Sequence, residues 1–215
     1  TGPITVIGIG LLLYNYLRFD NPLEFGQRYQ LAGNRQAAAQ QFSLSYLWVN
    51  FRFAFLEPAR WSGRFPFVHD IAVPRLPMGY NIEHPFGVLS NIPLVWLALA
   101  APLAWRGRSA EARSSLRGFL AAVAVFFGMS ALTLCLHNSM NVRYEVEFLP
   151  ALLLLGVIGA VGLERTLAGR RVWRCATRWG WGLLLAFSVS FNWFAMFERS
   201  IEAYILHGVI SFRTG

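Results

Sequence analysis

Three stretches of this chain concentrate the residue types that bind or polarise a charged substrate. The first is YNYLRFDNPLEFGQRY, residues 14–29. In it Asn15, Arg18, Asp20, Glu24 and Arg28 alternate with Tyr14, Tyr16, Phe19, Phe25 and Tyr29. Arginine forks and carboxylates in such a mixture suit a phosphate or a sugar at a membrane surface. They equally suit ion pairs between Arg18 and Asp20 or Glu24, and between Glu24 and Arg28 at an i,i+4 spacing. Pro22 and Gly26 predict a turn here. The second stretch is HNSMNVRYEVEFLP, residues 137–150, where His137, Asn138, Asn141, Arg143, Tyr144, Glu145 and Glu147 crowd together. Arg143 is its candidate for an anionic ligand, and Glu147 reads equally well as a cap for a helix starting near Phe148. The third runs from 57 to 77, with Arg60, Arg64, His69, Asp70 and Arg75 among Trp61, Phe65 and Phe67. Aromatics with arginines fit carbohydrate stacking, lipid phosphates or plain interfacial packing.

The elements that must position these residues are apolar. The 215 residues are 55% hydrophobic and 14% charged, against about 25% charged in an average soluble domain. That excludes an ordinary soluble enzyme and a disordered chain. Apolar runs at 3–17, 87–105, 118–136, 148–163 and 179–197 approach or reach the ~20 residues a spanning helix needs. The expected fold class is therefore all-α: one polytopic transmembrane domain over residues 1–215, with about five spans and a long external loop, 18–86. Within that loop, residues 42–56 (FSLSYLWVNFRFAFL) carry one charge, Arg52, and predict an interfacial helix. The first run, at Thr1, has no basic segment before it and makes a poor signal peptide. It is expected to be the truncated start of a fragment.

All 19 basic residues are arginine, and the net charge is +8. Residues 106–117 carry +3 and residues 164–178 carry +4, so seven of those eight charges sit in two short loops. This is the pattern of cytoplasmic loops, and it places the multi-pass chain in an inner (plasma) membrane. It also removes the reason to invoke nucleic acid as a partner. Residues 18–86, 137–147 and 198–215 then face outward. Trp105, Trp179, Trp181 and Trp193 fall near span ends, as an aromatic belt does. In the fourth span, Gly156, Gly159 and Gly162 form a small-residue stripe suited to close packing against a neighbour. The two cysteines set no disulfide framework, and no metal-ligand spacing is present. There is no G-x-S-x-G elbow, no H-E-x-x-H and no phosphate loop with a following lysine.

The run YN-Y-LRF-DNP-LEFG-QRY (14–29) resembles a motif of large bacterial glycosyltransferase-like membrane proteins. These are the C-type, lipid-linked-sugar transferases related to protein mannosyltransferases. GRFPFV (63–68) and RYEVEFLPALLLL (143–155) follow in the same order as in those proteins. Asp20 stands where the relatives carry glycine. The resemblance implies an enzyme that takes a sugar from a polyprenyl-phosphate carrier on the extracytoplasmic face, with membrane lipid as its surroundings and no cofactor. It implies that Arg18, Glu24, Arg28, Tyr29, Arg143, Tyr144 and Glu147 are structural or carrier-phosphate-binding positions. The catalytic acid of that group lies in an early external loop that nothing in this chain matches, so no catalytic residue is assigned. The alternative is a non-enzymatic envelope protein, either a component of polysaccharide or lipid export or a scaffold. Polar span residues facing a pathway would favour it, and Asn91, Ser130, Thr133, Ser188, Ser190 and Asn192 are the ones present.

Overall fold

A computed structural model of the chain describes residues 2–26, 29, 40–71 and 80–213, with side chains as far as Glu198. The structure is overwhelmingly helical. Among the described residues four helices are long and apolar enough to cross a membrane: Gly2–Phe19 (α1), Ala110–Leu136, Val142–Thr166 and Arg171–Glu198. Among the described residues the strands are two pairs of two or three residues each, Arg60–Trp61 (β1) with Val68–His69 (β2), and Asn81–Glu83 (β3) with Ser139–Asn141 (β4). The chain divides into two compact units, Thr1–Gln40 with Pro77–Tyr80, and Gln41–Leu76 with Asn81–Gly215.

In the first unit α1 ends at Phe19 and the chain turns, as Pro22 and Gly26 predict. Asp20 takes a left-handed φ of 53° while its N–H still bonds the Tyr16 carbonyl. Glycine is the usual residue for that conformation at a helix end, and aspartate is among the few others that tolerate it. The Asn21 side chain accepts the Leu23 N–H at 3.0 Å and Gly26 has a φ of 83°, completing the reversal. Asn15 is the one buried residue of α1 and donates to the Pro22 carbonyl.

In the second unit the stretch 87–105, expected as one spanning helix, is built differently. A four-residue helix, Val88–Asn91 (α3), stops at Ile92, and a 13-residue 3₁₀ helix follows from Pro93 to Trp105. Pro93 and Pro102 supply no N–H to an α-helical ladder. A 3₁₀ helix rises about 2.0 Å per residue, so thirteen residues cover about 26 Å. An α-helix of that length would cover only about 20 Å. The thinner helix thus comes close to the ~30 Å of a hydrocarbon core with fewer residues.

The 3₁₀ helix lies along the helix Val142–Thr166 (α5). Leu94 meets Gly156, Leu97 meets Gly159 and Ala104 meets Gly162, so the two elements run in the same direction. The glycine stripe does face a neighbour, and the approach is backbone to backbone. A Cβ at Gly159 would collide with the Leu97 carbonyl oxygen, and one at Gly162 would lie 2.8 Å from the Ala104 nitrogen. Ala110–Leu136 (α4) packs against α5 and contacts the 3₁₀ helix as well. The two arginine-rich turns leave from the Trp105 and Thr166 ends, which lie together. Beyond the second turn begins Arg171–Arg213 (α6), whose Arg178 forks onto Glu164 of α5 at 2.6 and 3.2 Å.

At the opposite end, residues 44–56 are helical, in the region where an interfacial helix is expected. A 3₁₀ turn (Leu44–Tyr46), a short α-helix, Leu47–Phe51 (α2), and a π-helical turn (Arg52–Leu56) follow one another. Tyr46, Asn50, Phe53, Ala54 and Phe55 are buried, with Phe55 against Phe148 at 5.0 Å and Phe127 at 6.2 Å. Leu44 and Trp48 stay exposed. The segment is thus docked onto α4 and α5 by Phe55 and not held by headgroups alone. Pro150 lies inside α5, not in its first turn, because the helix begins six residues earlier than the apolar run suggests.

Replacing Gly159 with alanine sets a backbone clash against the ~1 kcal/mol helix propensity that alanine offers over glycine. Overpacking costs typically 1–3 kcal/mol, so Gly159→Ala is expected to destabilise. Gly128→Ala in α4, where nothing lies within 4 Å of the added carbon, is expected to be neutral or mildly stabilising. Thermal unfolding of both variants in one detergent reads the opposite signs.

Candidate functional site

Buried amides and one carboxylate hold the polar segments against the helix ends. The last carbonyls of α4 have no helical partner. The fully buried Asn50 answers them, its Nδ2 lying 3.1 Å from the Leu134 and Cys135 oxygens and 2.6 Å from that of His137. Asn91 accepts the Ala59 N–H and donates to the Glu57 and Gly87 carbonyls. Glu145 is buried and accepts the Phe86 N–H at 3.1 Å. Asn141 caps α5 by accepting the Arg143 N–H at 2.9 Å. These contacts fix the place where residues 137–147 meet residue 42 and α4.

There a cavity of about 510 Å³ opens. It is lined by Phe126, Met129, Ser130, Thr133 and Leu134 of α4, by Phe42 and His137, and by Tyr144 and Glu147 of α5. Its position follows from local pairing. Ser43 N–H donates to the Leu136 carbonyl and Asn138 N–H to that of Gln41, which bridges Phe42 to His137. The His137 ring is edge-on to Phe42 at 5.3 Å and to Tyr144 at 5.7 Å. Ser139 Oγ lies 3.0 Å from His137 Nδ1. Thr133 donates to the Met129 carbonyl one turn back. The cavity is therefore two-faced. One wall is apolar, and its Phe126 and Met129 are 59% and 67% exposed on the outer surface of α4. The other end carries an imidazole, a phenol and a carboxylate. Such a space admits an amphiphile entering from the apolar side.

Of the seven residues singled out by resemblance, Tyr144 and Glu147 line this cavity. Glu147 is exposed in the second turn of α5, and the cap there is Asn141, so the capping role expected for Glu147 falls to that asparagine. Arg143 stands at the α5 N-terminus with its side chain 78% exposed, 3.3 Å from Glu83. Asn141 also contacts Glu83, in register with the parallel β3–β4 pair. In the first unit, Arg18 lies over the Phe19 ring at 4.9 Å and donates to the Tyr14 hydroxyl at 3.0 Å. Phe19 stacks on Tyr29 at 5.1 Å. Glu24 lies in the turn, its N–H on the Asn21 carbonyl. Arg28 and Arg75 lie outside the described residues.

Sequence reasoning did not gather Phe42, Phe126 and Met129 with Tyr144 and Glu147. The available signal was Ser130 and Thr133, one helical turn apart on an apolar helix and followed a turn later by His137. No group of three or more His, Cys, Asp or Glu suited to a metal occurs among the described residues. Compared with family models, with curated proteins and with solved structures, the chain matches none.

An exposed ion pair contributes about 0–1 kcal/mol, so Arg143→Ala is expected to leave the unfolding midpoint within a few degrees of the parent. Asn50→Leu strands the Cys135 and His137 carbonyls near a buried helix end, while Leu134 keeps the His137 N–H, and is expected to cost about 2 kcal/mol or more. Chemical unfolding in detergent, side by side, separates the two.

Proposed function

We propose that the chain is the carrier-binding part of a membrane glycosyltransferase-like protein that takes a sugar from a polyprenyl phosphate on the extracytoplasmic face. The observation that carries this reading is the two-faced cavity between α4 and α5. An isoprenoid chain suits the Phe126, Met129 and Leu134 wall. The polar end suits the head of the same molecule. Arg143 contributes little to stability by the argument above, and a guanidinium fork fits a phosphate. A carboxylate repels phosphate, so Glu147 and the Tyr144 hydroxyl are assigned to sugar hydroxyls instead. The arginine-rich turns at the far end agree with this sidedness through the positive-inside rule.

In this reading an acceptor hydroxyl attacks the anomeric carbon, a base takes its proton, and the carrier phosphate departs. Arg143 then stabilises the charge that grows on the leaving phosphate. The residues here bind and orient the donor, and the base is not assigned. The resemblance of residues 14–29, 63–68 and 143–155 to lipid-linked-sugar transferases supports the same chemistry.

The test is photolabelling of the chain in nanodiscs with a benzophenone-bearing polyprenyl phosphate, mapped by peptide mass spectrometry. Labels are expected on α4 near Met129 and Thr133, competed by unlabelled polyprenyl phosphate. Thr133→Trp, which fills the cavity, is expected to reduce labelling about tenfold, the equivalent of ~1.4 kcal/mol. Arg143→Lys should weaken it nearly as much as Arg143→Ala if the fork matters. Labelling competed equally by a zwitterionic phospholipid, or unchanged in Thr133→Trp, would overturn the proposal.

A further inference from the structure

A second arrangement of reactive groups lies apart from the cavity residues. The strands β1 and β2 form a short antiparallel hairpin with Arg60 opposite His69 and Trp61 opposite Val68. Ser62 follows β1, and its N–H bonds the Phe67 carbonyl at 2.9 Å. This register brings Ser62 Oγ to 2.8 Å from His69 Nε2. The other ring nitrogen, Nδ1, lies 3.0 Å from Glu198 Oε1 on α6, 129 residues further along the chain. Four ring contacts hold the hairpin on that helix: Trp61 to Phe187 and Phe191 at 6.0 and 6.1 Å, Phe65 to Phe197 at 5.4 Å, and Phe67 to Phe194 at 5.4 Å. Neighbouring Asp70 contacts His84 instead, so Glu198 is the acid that serves His69.

The geometry points to a serine nucleophile: Ser62 activated by His69, with Glu198 as the residue that positions the imidazole. An ionised carboxylate only accepts hydrogen bonds, so it selects the Nδ1–H tautomer. Nε2 then carries the lone pair and accepts from the serine hydroxyl. Nucleophile, base and orienting acid within hydrogen-bond reach are the signature of covalent catalysis, wherever they stand in the sequence. The single Ser62 hydroxyl proton has two acceptors within reach, the Arg64 carbonyl at 2.9 Å and His69 Nε2 at 2.8 Å, and catalysis uses the rotamer that donates to Nε2 while Oγ still accepts the Arg64 N–H at 3.3 Å. The imidazole and its buried acid exceed what a turn needs. The Glu198 and His69 side chains are 13% and 34% exposed, while Ser62 is open to a substrate.

The substrate class is a carboxylic ester of an amphiphile, because Trp61 and Phe65 flank the serine with exposed apolar rings. Ser62 Oγ adds to the ester carbonyl as its proton passes to His69 Nε2. The tetrahedral intermediate collapses, the carbon–oxygen bond to the alcohol breaks, and His69 returns the proton to the departing alkoxide. Water then attacks the acyl-serine, giving its proton to His69, which returns it to Ser62 Oγ as the acid leaves. Among the described residues the Gly63 N–H, next in the chain, makes no backbone hydrogen bond and is the nearest donor in sequence for the oxyanion.

The experiment uses the full chain in nanodiscs and a biotinylated fluorophosphonate, with the label located by peptide mass spectrometry. Ser62 is expected to be labelled. His69→Gln is expected to slow labelling about 100-fold or more. Glu198→Gln should slow it strongly and Glu198→Asp should restore part of the rate, which a residue needed only for folding would not do. Ser115→Ala, on the far end of α4, should label as the parent does. Hydrolysis of p-nitrophenyl butyrate should fall in parallel. An unlabelled Ser62 in the folded parent, or equal rates in His69→Gln and the parent, would overturn the proposal.

Discussion

The close approach between the 3₁₀ helix and the glycine row of α5 sets the position of the elements around it in the second unit. Backbone atoms meet at Gly159 and Gly162 with no side chain between. In an apolar surrounding there is no water-driven force between helices, and close van der Waals packing of this kind is what holds them. It also fixes register, because an added Cβ at Gly159 or Gly162 would meet backbone of the 3₁₀ helix. With the 3₁₀ helix locked, α3 and Gly87 are held at one end, and Gly87 in turn packs against the backbone of Leu56 and Glu57. The segment 44–61 then lies against α4 and α6, with Phe55 on Phe127 and Trp61 on Phe187.

Buried polar groups translate that register into a working surface. Asn50, Asn91, Asn141 and Glu145 are each at least nine-tenths buried, and each has partners drawn from another part of the chain. Their burial would cost several kcal/mol if unmet, so each admits one arrangement of its neighbours. Two functional consequences follow from this single frame. The cavity forms where Phe42 is pinned beside His137. The hairpin carrying Ser62 is laid on α6 by a row of aromatic rings.

These two places differ in kind. The cavity grades from apolar to polar along its length, which suits holding a long amphiphile. The hairpin offers an exposed hydroxyl with a base and an acid behind it, which suits breaking a bond. Both are drawn from segments at the end of the helices opposite the two arginine-rich turns. Within α4, Ser130 and Thr133 are the polar residues that reach the cavity.

The sequence by itself determined the apolar elements, the turn after α1 and the glycine stripe, since each depends on composition or spacing within one segment. It misjudged the stretch 87–105 because apolar content reports depth in a membrane but not whether a helix is α or 3₁₀. It also placed the start of α5 too late. Residues 142–147 are polar, and only the Asn141 cap and the burial of Glu145 against Phe86 make them helical. Tyr144 and Glu147 were legible as candidates from their crowding beside Arg143. The cavity they line was not, since Phe42 and Met129 reach it from 102 and 15 residues away in the chain. Glu198 behind His69 was hidden for the same reason. A hydrogen bond across 129 residues leaves no periodicity in the sequence, and only the packing of the hairpin on α6 decides it.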